Sequence, residues 1–242
     1  MLLKLANESE INPYALQRLE KQLRSAYEFF DGLGFCLSER EDLLSQWRGY
    51  ADDGRGVCIG FNSQYLEKLG KTRKDRDEKH YQLRKLIYDQ DGQREIAAEY
   101  IEDIKKLLDQ GAFQSTLGSI LVPMDDERRE KITKATEAGY FAILRVMLRM
   151  FEIKNPAFYE EQEWRLISFS TTQLDELETK FRACSDKIVP YLEVKIEELD
   201  LNPVGRVILG PKHNSPHHVV ERLLHNYGFK SVEISNSSAT YR

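Results

Sequence analysis

The chain has 242 residues, 41% of them hydrophobic and 31% charged, enough to bury a core and ordinary for a globular protein. A net charge of −5 offers nucleic acid no general attraction, and no apolar run reaches the ~18 residues of a membrane span. The apolar start is too short for a secretory leader, and Cys36, Cys58 and Cys184 show no metal-ligand spacing, so reduced thiols in a cytoplasmic protein are expected.

Asn12-Pro13 marks a helix start, with Leu16, Leu19, Leu23, Tyr27 and Phe30 recurring at helical spacing until Gly32 and Gly34 end it. Gly34–Ser38 then reads as a short strand. Ser38-Glu-Arg-Glu41 has the form of a capping box for a helix that turns Leu43, Leu44, Trp47 and Tyr50 toward a core. Asp52–Gly56 is a turn by composition, Val57–Phe61 a second strand, and Tyr65–Leu69 helical. Lys71–Lys79 is mixed in sign and reads as a solvated segment. Leu83–Tyr88 reads as a strand, Asp89–Gln93 as a turn, and Ile96, Tyr100, Ile101, Ile104, Leu107 and Leu108 as one side of an amphipathic helix. A long helix is expected over about Glu127–Phe151, its stripe being Ile132, Ala135, Ala138, Phe141, Leu144, Met147 and Leu148. Three strands follow at Trp164–Phe169, Val189–Ile196 and Gly205–Leu209. Ser215-Pro216 opens a helix whose inner side is Val219, Val220, Leu223 and Leu224, and Val232–Ser235 is a closing strand. The pattern predicts one α+β domain over 1–242, with a mainly helical insertion at about 67–151.

The most informative stretch is Phe158–Phe169. If the strand includes its acids, Glu161, Glu163 and Arg165 share one face, with Gln162, Trp164 and Leu166 on the other. Two carboxylates beside a guanidinium suit acid–base or charge-stabilising chemistry, and they equally suit an exposed strand with alternating charge. Ser38–Phe61 is the second dense region. There Arg48 points away from the apolar stripe toward an anionic ligand or water, and Trp47 is either core or a ring-stacking platform. Gly60 marks close approach of a ligand or of another backbone. His217 and His225 would stand roughly 12 Å apart along a helix, too far to share one zinc ion. No phosphate-binding glycine loop, serine elbow or His-Glu-x-x-His motif occurs, and Gly32-Leu-Gly34 lacks the third glycine of a dinucleotide fingerprint.

The blocks Cys36-Leu-Ser-Glu39, Asp42–Tyr50, Gly56–Phe61, Asn155–Ile167, Val207–Pro211 and Ser238–Arg242 resemble, in order, those of the bacterial domain-of-unknown-function family 2971. That family is in turn distantly similar to ADP-ribosyltransferases. The resemblance implies a split, curved sheet of mixed or antiparallel strands that grips NAD. It implies Glu163 as the catalytic carboxylate, with Glu161 two positions before it, and Ser38 as the middle-strand residue. Ser38, Trp47, Arg48 and Arg165 would help bind the cofactor. A fixed carboxylate would stabilise the positive charge that develops on the ribose as nicotinamide leaves, and Glu161 would orient or deprotonate the acceptor. Arg48 and Arg165 would hold the pyrophosphate, or Arg165 would pair with Glu163. The family pattern opens on a His-Tyr-Thr-Ser-like strand, followed later by Leu-Asn-Asp-Ser-x-Glu. Leu5–Glu10 matches that later segment, so the opening strand is expected to be missing, either lost from this variant or lying upstream of Met1.

Two functions therefore stand at this level. One is a domain that binds or consumes NAD, in a toxin or antiviral defence system. The other is a non-catalytic interaction module whose charges form a structural ion network and whose partner is a second protein or a second copy of the chain.

Overall fold

A computed structural model describes residues 2–9, 11–26, 30–72, 81–117, 123–171, 179–193 and 201–240. It is a mixed α+β structure with several small sheets. Tyr27, most of Lys71–Lys79, His80, the end of the strand expected at Val189–Ile196, and Tyr241-Arg242 lie outside the described residues. None of the described helices is long and apolar enough to cross a membrane. The chain forms two compact units, each drawn from separated stretches.

The first unit comprises Met1–Gly32, Leu86–Pro156 and Phe169–Leu177. Its helices are α1 (Leu2–Glu8), α2 (Pro13–Ala26), α5 (Gln90–Asp109) and α6 (Asp126–Met150). Asn12 starts α2 as its sequence implies, its side-chain oxygen accepting the Tyr14 N–H at 2.9 Å. Asp89 is not part of a turn: its carboxylate accepts the Gly92 N–H and caps α5, as Asp125 caps α6 through the Arg128 N–H. The buried face of α5 is the expected one, and it packs with Ala15 and Leu19 of α2 and with Ala142, Ile143 and Val146 of α6. On α6 the expected stripe is partly wrong. Phe141 is 69% exposed, and the inward face carries Gly139, Ala142, Ile143 and Val146. The ring of Phe113 lies where a Cβ on Gly139 would be, so close packing selected the small residue over the large one.

The second unit comprises Leu33–Lys85, Ala157–Ser168 and Glu178–Arg242. Strands β1 (Phe30–Ser38), β4 (Glu163–Thr171) and β3 (Gln82–Lys85) form one sheet in the order β1-β4-β3. Gly32 and Gly34 lie inside β1 and do not end α2, which stops at Ala26. A second sheet has the order β2 (Val57–Phe61), β7 (Val204–Leu209), β8 (Glu233–Asn236), with β2–β7 antiparallel and β7–β8 parallel. Gly60 faces Arg206 of the paired strand β7, so the close neighbour it marks is another strand. An exposed hairpin, β5 (Lys180–Cys184) and β6 (Lys187–Tyr191), completes the strands; β5 carried no periodic signal because its residues are exposed on both faces.

Helices α4 (Ser63–Thr72) and α7 (His217–Asn226) pack on these sheets, and α3 (Leu44–Tyr50) lies between β1 and β2 in the chain. Tyr65, Leu66 and Leu69 of α4 pack on Tyr81 and Leu166, while Val220 and Leu224 of α7 pack on Val204, Val207 and Leu209. Val219 and Leu223, expected on the inner side of α7, are exposed. Phe61 touches both clusters and so joins the two sheets of this unit.

Candidate functional site

Between β1 and β2 the second unit opens a cleft of about 840 Å³, within the range of small-molecule sites. Phe35 and Leu37 of β1, β2, Trp47 and Tyr50 of α3, and Trp164 of β4 form its walls. Phe35 meets Phe61 edge to face, with ring centroids 5.6 Å apart. The walls are apolar yet open to solvent: Tyr50 is 75% exposed, and Phe35, Val57 and Ile59 are exposed too. Tyr50 was expected in a core, and of the four apolar residues assigned to the inner face of α3 only Trp47 is buried, at 2%.

Trp47 owes its position to Asp42. The indole N–H donates to Asp42 Oδ1 at 2.6 Å, and the same carboxylate accepts from Ser237 Oγ, Ser238 N and Ser238 Oγ at 2.5–2.7 Å. Burial raises the Asp42 pKa, but these hydrogen bonds outweigh it and hold the group at about 2. The cleft floor is thus pinned to residues almost two hundred positions away, which no local pattern could reveal.

Ser38 also lines the cleft, but it does not cap α3. Leu43 stands at the N-cap position, and the Ser38 hydroxyl donates to the Glu161 carbonyl at 2.6 Å and accepts the Arg40 N–H at 2.9 Å. Beside it, Glu39 accepts both the Trp164 indole N–H and the Lys85 ammonium at 2.7 Å. Those two donors, Lys85 foremost, lower the Glu39 pKa.

Glu161 ends a 3-10 helix at Pro156–Glu161 and is not on the strand, so the three-residue face read from the sequence reduces to Glu163 and Arg165. Gln162, at φ 45°, makes the break. Glu163 is 4% exposed, and its carboxylate accepts from Arg165 Nε at 2.7 Å. Burial opposes the Arg165 charge, and the Glu163 carboxylate more than offsets that, raising the arginine pKa. Cys36 of β1 lies against the pair; burial first, and then Glu163, push its thiol pKa up. Alternation along β4 turns Trp164 the opposite way from Glu163 and Arg165, and across the register Lys85 pairs with Trp164 and Arg84 with Arg165. The cleft wall accordingly includes Ser38 and Trp47 but not Glu161, Glu163, Arg165 or Arg48. Arg48 is on the exposed side of α3, where its charge adds to the larger effect of Lys212 in lowering the Asp53 pKa. Among the described residues no group of three or more His, Cys, Asp or Glu side chains could hold a metal ion.

The model of a family described as a protein of unknown function, DUF2971, matches residues 46–166, half of the chain. The chain belongs to this family. No curated protein and no solved structure matches it. The DUF2971 match contains Trp47, Arg48, Glu161, Glu163 and Arg165, whereas Ser38, Glu39 and Asp42 precede it. Glu39, Lys85 and Tyr50 were not singled out as site residues from the sequence. A glutamate at the end of a strand has no pattern of its own until the Trp164 and Lys85 partners are seen.

Proposed function

We propose that the second unit is an ADP-ribosyltransferase-like domain that binds NAD in the cleft between β1 and β2. The observation that carries this reading is the cleft itself: about 840 Å³, with exposed aromatic walls and hydroxyl and carboxylate groups from Ser38 and Glu39. Solvent-exposed aromatic rings gathered in a concavity suit the stacking of a nicotinamide or adenine ring. Titration calorimetry with NAD tests it. Binding to the wild type, weakened roughly tenfold or more by Tyr50→Ala with the melting temperature unchanged, is the expected result. Absence of heat with wild-type protein would refute it.

Consumption of NAD is a separate step and rests on Glu163. It requires nicotinamide release by the wild type and its loss in Glu163→Gln protein that is still folded at the assay temperature. A second reading, binding without turnover, is favoured by the ion pair of Glu163 with Arg165 on the face opposite Trp164. In that case Glu163→Gln lowers the melting temperature while NAD affinity stays the same, as a structural ion network demands.

A further inference from the structure

The geometry points to a recognition site for a flat organic cation at the edge of the cleft, formed by the Glu39 carboxylate and the Trp164 indole, which in this structure hold the chain's own Lys85. Glu39 Oε1 accepts the Trp164 N–H at 2.7 Å, which fixes the plane of the ring as well as the position of the charge. Lys85 Nζ stands 2.7 Å from the same oxygen and 5.8 Å from the indole centroid, within the ~6 Å reach of a cation–π contact. A carboxylate beside an aromatic face is the pairing that recognises cationic rings and quaternary ammonium groups. Glu39 and Trp164 line the cleft.

Lys85 is a poor occupant. Its ammonium is compact, strongly hydrated and half exposed, so the ion pair contributes little. A pyridinium ring is flat and weakly hydrated, and it would add contact with the apolar walls to the same charge interaction. Lys85 is the cross-strand partner of Trp164, so it acts as a tethered competitor that any cationic ligand must displace. This inference rests on the reading that the cleft holds a ligand, and narrows that ligand to one with a positively charged ring. Oxidised NAD has such a ring and reduced NAD does not.

Calorimetric titration of oxidised NAD, reduced NAD and 1-methylnicotinamide against the full chain tests it, with Glu39→Gln and Lys85→Met as variants and melting temperature as the control for folding. The wild type is expected to favour the oxidised form by roughly fivefold to tenfold. Glu39→Gln removes that preference, and Lys85→Met tightens binding of the oxidised form and of 1-methylnicotinamide. Equal binding of both dinucleotides, untouched by Glu39→Gln, overturns the inference and leaves NAD binding standing. Glu39-dependent binding of 1-methylnicotinamide without dinucleotide binding upholds the cation site and removes the NAD reading. No binding of any of the three removes both.

Discussion

Asp42 matters more to the cleft than its half-buried position suggests, because a single carboxylate holds Trp47 and the Ser237-Ser238 segment together. Its folded pKa of about 2 lies below the ordinary 3.8, so its contribution to stability is present above the unfolded value and is lost as pH falls toward 2. Asp42→Asn is expected to cost about 1–3 kcal/mol at pH 7 and to flatten the acid limb of stability between 3.8 and about 2, measured by urea unfolding across that range. A variant whose stability parallels the wild type through that window would show that the carboxylate is not the clasp. The Glu163–Arg165 pair obeys a different rule. It is desolvated, so removing one partner takes a close counter-charge away from a buried group. Arg165→Leu should destabilise by roughly 3–5 kcal/mol. Adding Glu163→Gln to it should recover part of that loss, a coupling that a double-mutant cycle reads directly.

Elements whose burial follows one period were legible in the sequence. The face of α5, the Leu16, Leu19 and Leu23 part of the face expected for α2 (Phe30, expected on the same face, is in β1), the Asp52–Gly56 turn, and strands β2, β4 and β7 fall where spacing and composition put them. What escaped was decided by contacts from elsewhere in the chain. Gly32 looked like a helix stop, yet it is a strand residue whose missing side chain makes room for the Phe151 ring. Glu161 has strand spacing to Glu163 but lies across a left-handed Gln162. The cleft was half visible: Trp47 and Ser38 were singled out, while Glu39, Lys85 and the pinning role of Asp42 depend on partners 46 to 196 positions away. Glycines expose the same difference between local and tertiary control. A Cβ on Gly210 would stand 2.4 Å from the Gly54 carbonyl oxygen and 2.8 Å from that of Gly56, backbone atoms that cannot swing aside. Gly210→Ala is therefore expected to cost about 1–3 kcal/mol, with loss of the Gly210 N–H bond to Gly56 adding to it. Gly49 in α3 meets nothing within 4 Å, so Gly49→Ala should stabilise by about 0.5–1 kcal/mol. Thermal melts of the two variants should move in opposite directions.

At the level of the whole molecule, the chain passes between its two units after Gly32, Lys85, Pro156, Ser168 and Leu177. Neither unit is a contiguous piece: β3 pairs with β4, and β2 with β7, across stretches that belong to the other unit. Ligand effects should nonetheless be local, because the walls of the cleft all come from the second unit. Ligand that binds only the folded form stabilises it by about 2.7 kcal/mol at a hundred times its dissociation constant. Local opening of the segments it touches is suppressed, and amide exchange slows there. With NAD at saturation, hydrogen exchange should slow in peptides from β1, α3, β2 and the Trp164 region of β4. Peptides from α5 and α6, whose core is the separate cluster around Ile104, Leu108 and Ile143, should exchange as before. Protection centred on α5 and α6 would move the binding site out of the cleft. Unchanged exchange throughout the chain would remove NAD as its occupant.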